Sequence, residues 1–377
     1  MIPFTKTSIT ELEKEYIIEA LTKSKICGDG LFTKKCNQWF EENCNIDNFL
    51  LTTSGTHALE LASLLAELKE GDEVIVPSYT FVSTADAILL RGAKPVFVDI
   101  DKRTFNIDAD LIEEKITPKT KAIFPVHYAG VACDMGKIMD IAKKHNLIVV
   151  EDAAQGVLAY YKDQLLGTIG DYGCYSFHET KNYVMGEGGA IIVKDDEKFE
   201  KAEIVREKGT NRSQFIRGDV DKYTWHEVGS SYLPSDILAA LLYGQLNRAE
   251  EIMEKRMNIW NSYNNGLECL EKEGKLARPY IPEYAKHNAH MFYIVLQTED
   301  IRNKLMMYLK ENGIGATFHY IPLHTSPMGQ RLGCKKGDLP ITEEYAGRLL
   351  RLPLYADMSK EDNLYVIDKV KEFFNIK

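Results

Sequence analysis

Four short, almost purely apolar runs constrain this chain more than any other feature: EVIVPS (73–78), PVFVDI (95–100), KAIFPVHY (121–128) and LIVVEDAA (147–154). A strand half-exposed to water alternates apolar and polar residues, whereas a strand covered on both faces stays apolar throughout. Between the runs lie amphipathic segments, DADLIEEKI (108–116) and MGKIMDIAKKHN (135–146), that read as helices. Buried strands alternating with helices predict an α/β fold, a mainly parallel sheet clad on both sides. Two more strands follow, YGCYSF (172–177) and GAIIVKD (189–195).

Other segments complete the expected layout. Ser8-Ile9-Thr10-Glu11 reads as a capping box opening a helix to Lys23, and CGDGLF (27–32) as a glycine-rich turn. Ser235 is expected to cap a long helical region towards residue 270, broken near 247–250. Beyond it, HMFYIVLQ and ATFHYI read as strands, IRNKLMMYLKEN as a helix, and Ser359 opens a closing helix. A chain of 377 residues exceeds what one core usually serves. Two domains are therefore expected, 1–250 and 251–377. Internal repeats and low-complexity stretches are not evident.

Composition narrows the function classes. The longest apolar run, ILAALLY (237–243), is far short of the roughly 18–20 residues of a membrane span. The first residues carry neither a basic region nor a continuous apolar stretch of the signal-peptide kind. Seven cysteines without a CxxC pair point to reduced thiols, hence a cytoplasmic location, rather than disulfides or zinc. No histidine-rich metal spacing appears, so no metal is expected. A formal net charge of −10 argues against general nucleic-acid binding. CGDG and GEGG do not extend to GxGxxG between a first strand and helix, which argues against a dinucleotide site.

Chemistry is expected where strands end, because helix N-termini and loop backbones converge there. Ser54-Gly55-Thr56 precedes the helix former ALELASLLAEL, so its amides and hydroxyls make a phosphate seat, although a plain N-cap would look alike. Glu151 and Asp152 close a fully apolar strand; a buried carboxylate there needs either a cation or several backbone amides. Lys181 sits in SFHETKN among small hydrogen-bonding groups, and its ordinary pKa of about 10.4 makes it a poor nucleophile until its surroundings lower that value. Each feature taken alone is compatible with an ordinary structural role. Pyridoxal 5′-phosphate (PLP) accounts for all three together: its phosphate needs an anion seat, its pyridine nitrogen a carboxylate, and its aldehyde a lysine.

The succession Gly55-Thr56, Phe81 in PSYTFVSTA, EDAAQ, SFHETKN and GEGGA resembles the nucleotide-sugar aminotransferases, across essentially the whole chain. That resemblance implies the fold type I of PLP-dependent transferases, with a seven-stranded sheet in a large domain and a smaller C-terminal α+β domain. It implies that Lys181 anchors PLP covalently and Asp152 pairs with the ring nitrogen. Gln155 would face the ring's phenolic oxygen, Phe81 would stack on the ring, and Gly55, Thr56 and Ser176 would hold the phosphate. Ser231, in GSSYL, takes the place of an asparagine that reaches the phosphate of a neighbouring subunit, which implies a homodimer. Related dehydratases carry histidine in place of the lysine, so Lys181 implies transamination.

Within the family, CGDGLFTKKC, VHYAGVAC, REKGTNRSQF, DKYTW and GSSYL resemble members that aminate dTDP-4-keto-6-deoxyglucose at C4 to the galacto product, with glutamate as donor. UDP-linked or C3-keto substrates, or a non-catalytic PLP-binding sensor, are the alternatives. The run 206–218 sets Arg206, Lys208, Arg212 and Arg217 against Glu207 alone, and Lys208 and Arg212 become candidates for the substrate diphosphate. Cations completing a helix C-terminus would give the same pattern. FHYIPLH resembles a family segment near the sugar, which nominates Tyr320 and His324; for His319 a structural role is an equal reading.

Overall fold

The computed structural model describes residues 1–23 and 25–375. Its strands are β1 (Phe49–Thr52), β2 (Glu73–Pro77), β3 (Lys94–Val98), β4 (Thr120–Ile123) and β5 (Ile148–Asp152). A small hairpin follows, β6 (Tyr160–Tyr161) and β7 (Gln164–Leu165), then β8 (Tyr172–Ser176) and β9 (Gly189–Val193). Seven of these form one sheet in the order β1-β9-β8-β5-β4-β2-β3. β9 runs antiparallel to both of its neighbours, and the remaining pairs are parallel.

Alternation along each strand feeds two cores. Ile75, Ile123 and Val149 join one, whereas Val74, Val76, Ala122 and Val150 join the other. Successive side chains point to opposite faces, so an unbroken apolar run is what a strand covered on both sides requires. Each such valine or isoleucine side chain contributes about 1.5–3 kcal/mol on leaving water. The first core is closed by α1 (Glu11–Lys23), α2 (Leu31–Cys44), α5 (Met135–His145) and α8 (Asp236–Asn247). The second is closed by α3 (Gly55–Leu65), α4 (Val82–Leu89) and α6 (Asp196–Arg206). A short helix, α7 (Arg212–Arg217), stands apart from both.

α8 ends at Asn247 and α9 (Ala249–Gly266) starts after a single intervening residue, a break at Arg248 inside the expected window. The short α10 (Glu268–Lys272) follows. A second sheet, β10 (Leu276–Ala277), β12 (Phe292–Leu296) and β13 (Leu349–Leu352), packs beneath α11 (Glu299–Glu311) and α14 (Lys360–Phe373). Their shared core includes Tyr263, Phe292, Ile294, Leu305, Leu350 and Val366, and also Ile2 from the N-terminus. β11 (Ala285–Lys286) joins the small hairpin of β6 and β7. α12 (Pro327–Arg331) and α13 (Pro340–Arg348) lie between α11 and β13.

Several sequence expectations need correction. The capping box lies two residues later: Thr10 N–H bonds the Glu13 carboxylate, while Ser8 Oγ accepts from Arg248. Residues 108–116 form two 3₁₀ turns, not an α-helix, because the Asp108 side chain ties up the Asp110 amide in a tight turn. CGDGLF contains the start of α2, whose first amides, Phe32 and Thr33, bond Asp236 on α8. ATFHYI makes no strand; Thr317 alone bridges to Arg351, and Phe318, His319, Tyr320 and Ile321 line a cavity.

Candidate active site

β1, β2, β4, β5 and β8 all finish at one edge of the sheet, and antiparallel β9 starts there. Above that edge lies a cavity of about 670 Å³, lined by Ser54, Gly55, Thr56, Phe81, Asp152, Gln155, Ser176, Lys181 and Tyr320, among others. The second sheet contributes Arg351 and Leu352 from β13, and Met291 comes from just before β12, so the cavity lies between the two sheets.

The anion seat is built by close backbone approach. A methyl group at Gly189 would lie 2.5 Å from the Gly55 nitrogen, and one at Gly55 would lie 2.8 Å from Ser176 Cβ. Only hydrogen fits at either position, which brings β9, the end of β8 and the start of α3 together. Ser54 caps α3 by accepting from the His57 amide, and Thr56 Oγ1 bonds Ser83 Oγ at 2.7 Å. Helix geometry leaves the Gly55 and Thr56 amides without intrahelical acceptors. Amides at a positive helix end are where a phosphate binds.

Neighbouring carboxylates on β5 have separate fates because strand side chains alternate. Glu151 turns away from the cavity, where it accepts from the amides of Gly167, Ile169 and Gly170 and contacts His127 Nε2 at 2.9 Å. Asp152 faces the cavity and is buried. It accepts from Thr84 Oγ1 at 2.7 Å and from the Ala154 amide at 3.1 Å. Among the described residues no cationic nitrogen lies within 4 Å of it, so a buried carboxylate awaits a positive partner. The protonated nitrogen of a pyridine ring fits that requirement.

Lys181 lies in the loop joining β8 to β9. Burial pulls its pKa down to about 8; the Asp152 charge opposes that shift and Arg351 adds to it. An amine with that value is substantially neutral under mildly alkaline conditions, as a nucleophile or proton carrier must be. Gln155 Oε1 accepts from the Ala129 amide at 2.7 Å, and Nε2 donates to the Tyr320 hydroxyl at 3.1 Å. Phe81 stands at the mouth, 57% exposed, which leaves its ring free to cover a ligand. His319 lies against the Tyr320 ring, and burial holds it well below the ordinary histidine pKa.

Four nominated residues do not line this cavity. His324 is fully buried, held between Ser78 Oγ at 2.7 Å and Glu343 at 3.0 Å, and does not line the cavity. Ser231 and Lys208 are exposed outside the cavity, and Ser231 pairs with the backbone of Glu207. Arg212 is paired with Glu207. The apparent cationic excess of 206–218 is largely compensated, since Arg206 bonds Asp29 and Arg217 bonds Glu203 and Asp219. Conversely, Thr84, His290 and Arg351 belong to the site although the sequence reading nominates none of them; Thr84 lies within PSYTFVSTA, where only Phe81 stands out, and no motif marks the other two. Arg351 leaves one trace, a lone charge in the apolar run LLRLPLY.

Residues 7–371 match the DegT/DnrJ/EryC1/StrS aminotransferase family. The chain is 33% identical to the GDP-perosamine synthase of Escherichia coli O157:H7, over 100% of this chain and 99% of that one. Among solved structures it resembles the aminotransferase TlmJ of Streptoalloteichus hindustanus, with a TM-score of 0.91 and 29% identity over 100% and 99% of the two chains. It also resembles the PLP-form of the putative sugar aminotransferase Spr1654 of Streptococcus pneumoniae, with a TM-score of 0.91 and 28% identity over 99% and 98%. An anion seat, a buried unpaired carboxylate and a pKa-depressed lysine on this fold are what PLP needs, and the chain belongs to the DegT/DnrJ/EryC1/StrS family of PLP-dependent sugar aminotransferases.

Proposed function

We propose that the protein transfers the amino group of glutamate to the C4 ketone of dTDP-4-keto-6-deoxy-D-glucose, giving dTDP-4-amino-4,6-dideoxy-D-galactose. The observation that carries the reaction type is that a buried Lys181 with a lowered pKa and the carboxylate of Asp152 line the same cavity. PLP, when bound, supplies the electron sink that makes a C–H bond next to nitrogen acidic. Lys181, its pKa lowered to about 8, takes and returns the proton in both halves of the reaction. Asp152 keeps the ring nitrogen protonated, with Thr84 and the Ala154 amide fixing the carboxylate. The Gly55 and Thr56 amides, with Ser54 and Ser176, hold the phosphate, Phe81 covers the ring, and Gln155 faces its phenolic oxygen. Tyr320 lines the space left for the sugar.

The choice of dTDP rests on the stretches CGDGLFTKKC, REKGTNRSQF, DKYTW and GSSYL. One relative is a GDP-perosamine synthase, so family membership alone leaves the carrier open. Ser231, Lys208 and Arg212 fit this reading when a second copy presents them, so the active form is a homodimer. Exposed apolar residues beside them, among them Trp225 at 78% and Val228 at 63%, favour a covered surface there. A large domain of residues 1–250 and a small one of 251–377 belong to the same reading.

Incubation of the holoenzyme with L-glutamate and the dTDP-, UDP- or GDP-linked 4-keto-6-deoxy sugar, followed by mass spectrometry and NMR at C4, tests it. Preferred turnover of the dTDP sugar to an axial C4 amine is expected. Amination at C3, or preference for another carrier, refutes the substrate assignment. Replacing Lys181 with Ala should abolish both turnover and the visible absorbance of the holoenzyme.

A further inference from the structure

Lys181 has to carry a proton, yet its Nζ makes no hydrogen bond or ion pair with the described residues. A buried ammonium without an acceptor is costly, and a proton carrier passes through that form. One neighbouring side chain is built to accept. His290 lies just before β12 and lines the cavity together with Lys181. The two also line a narrow adjoining recess, with Asn182 and Asn288.

Hydrogen bonds fix which nitrogen of the His290 ring is protonated. Asn182 Nδ2 donates to the Asn288 carbonyl at 2.8 Å, which leaves Asn182 Oδ1 to meet His290 Nδ1 at 2.9 Å. An amide oxygen only accepts, so Nδ1 carries the hydrogen. Nε2 is left as a bare lone pair, and no described residue bonds it. The backbone beneath the ring is pinned as well. Arg256 donates to Ala289 O at 3.1 Å and to His290 O at 2.6 Å, and the His290 amide donates to Asn288 Oδ1 at 3.1 Å. Asn288 in turn donates to the carbonyls of Gln155 and Val157. Burial holds the imidazole well below the ordinary histidine pKa, and Lys181, Arg256, Arg351 and His319 oppose a second proton. The ring is a neutral acceptor of fixed tautomer.

We propose that His290 is a positioning residue for the transfer: its Nε2 accepts a hydrogen bond from the Lys181 amine whenever that amine is free of the cofactor. The bond favours the ammonium, so it keeps the proton on Lys181 between its removal and its return, and it orients the group that delivers it. His290 itself neither takes nor gives the proton. Asn182, which follows Lys181 in SFHETKN, sets the tautomer on which the bond depends. The inference rests on the reading of Lys181 as cofactor anchor and proton carrier, and is independent of which sugar or donor is used.

The test follows PLP uptake by the apoprotein as a function of pH, through growth of visible absorbance, and needs neither donor nor sugar. Asparagine places a polar group near the position of Nδ1 but none at Nε2, whereas glutamine reaches the position of Nε2. Loss of an acceptor destabilises the ammonium, so His290→Asn should lower the midpoint by about one pH unit. His290→Gln should stay within about 0.3 of wild type. With L-glutamate, His290→Asn should cut the maximal rate of the first half-reaction about tenfold and leave half-saturation within about twofold. A role confined to packing against Asn182 predicts the reverse order, with asparagine nearer to wild type than glutamine. That order, or one midpoint for all three proteins, overturns the proposal. If the His290 variants do not fold, Asn182→Leu decides: a lowered midpoint upholds the tautomer lock and an unchanged one refutes it. Visible absorbance retained by Lys181→Ala would instead sink the reading of Lys181 as the anchor.

Discussion

The reactivity of Lys181 comes from where its amine is kept. Burial disfavours the ammonium form, so the pKa falls to about 8 from the ordinary value near 10.4. Only the neutral amine adds to an aldehyde. The rate at which apoprotein takes up PLP, followed by growth of visible absorbance, should therefore climb through a midpoint near pH 8. A midpoint at the ordinary lysine value would mean that the side chain is fully solvated. Removing the positive charge of Arg351 should move the midpoint upward, because that charge adds to the depression. Neither effect is legible in the sequence. Lys181 stands out by its setting in SFHETKN, but the neighbours that tune it come from β5 and β13, which are remote in the chain.

At the level of elements, β5 shows why two adjacent acids are not interchangeable. Glu151 ties the 167–170 turn to the sheet through three amides, whereas among the described residues Asp152 has two donors, Thr84 and the Ala154 amide, and faces the cavity. Glu151→Gln should lower the melting temperature by roughly 5 °C or more, since it weakens several charge-assisted bonds in a buried site. Asp152→Asn should leave stability nearly intact and remove most turnover. Calorimetry and a steady-state assay on both variants separate the two roles. A similar loss of stability in both would mean that the carboxylates act as one structural unit. Gly189→Ala should weaken PLP binding by at least about tenfold, because its methyl group meets backbone rather than a movable side chain.

The strands of the large sheet are readable in the sequence because a short, continuous apolar run between turns fits little besides a strand buried on both faces. α2 and β13 are not: the first begins inside a glycine-rich turn, and the second carries Arg351 where an apolar residue is expected. ATFHYI has the composition of a strand, yet most of its side chains are spent on the cavity wall. His324 escapes for a related reason. A polar residue beside a site looks the same in sequence whether it faces the ligand or braces a loop.

For the whole molecule, the question of scale is whether one chain suffices. Lys208→Ala/Arg212→Ala subunits and Lys181→Ala subunits should each be inactive or nearly so. Refolded together, they should recover about a quarter of wild-type activity, since half the dimers are hybrids with one intact site each. Absence of recovery would confine the site to a single chain and leave 206–218 with a purely structural role.

The reversed direction of β9 sets the spacing of everything at the sheet edge. Because Gly189 faces Thr52 on one side and Ser176 on the other, the strand acts as a ruler laid between phosphate seat and lysine loop. Sliding it by a single residue would bring a side chain to the place only hydrogen can occupy, and would turn its apolar residues to the wrong layers. Correct zippering of this one strand therefore proofreads the geometry of the cofactor cradle during folding, before any vitamin arrives.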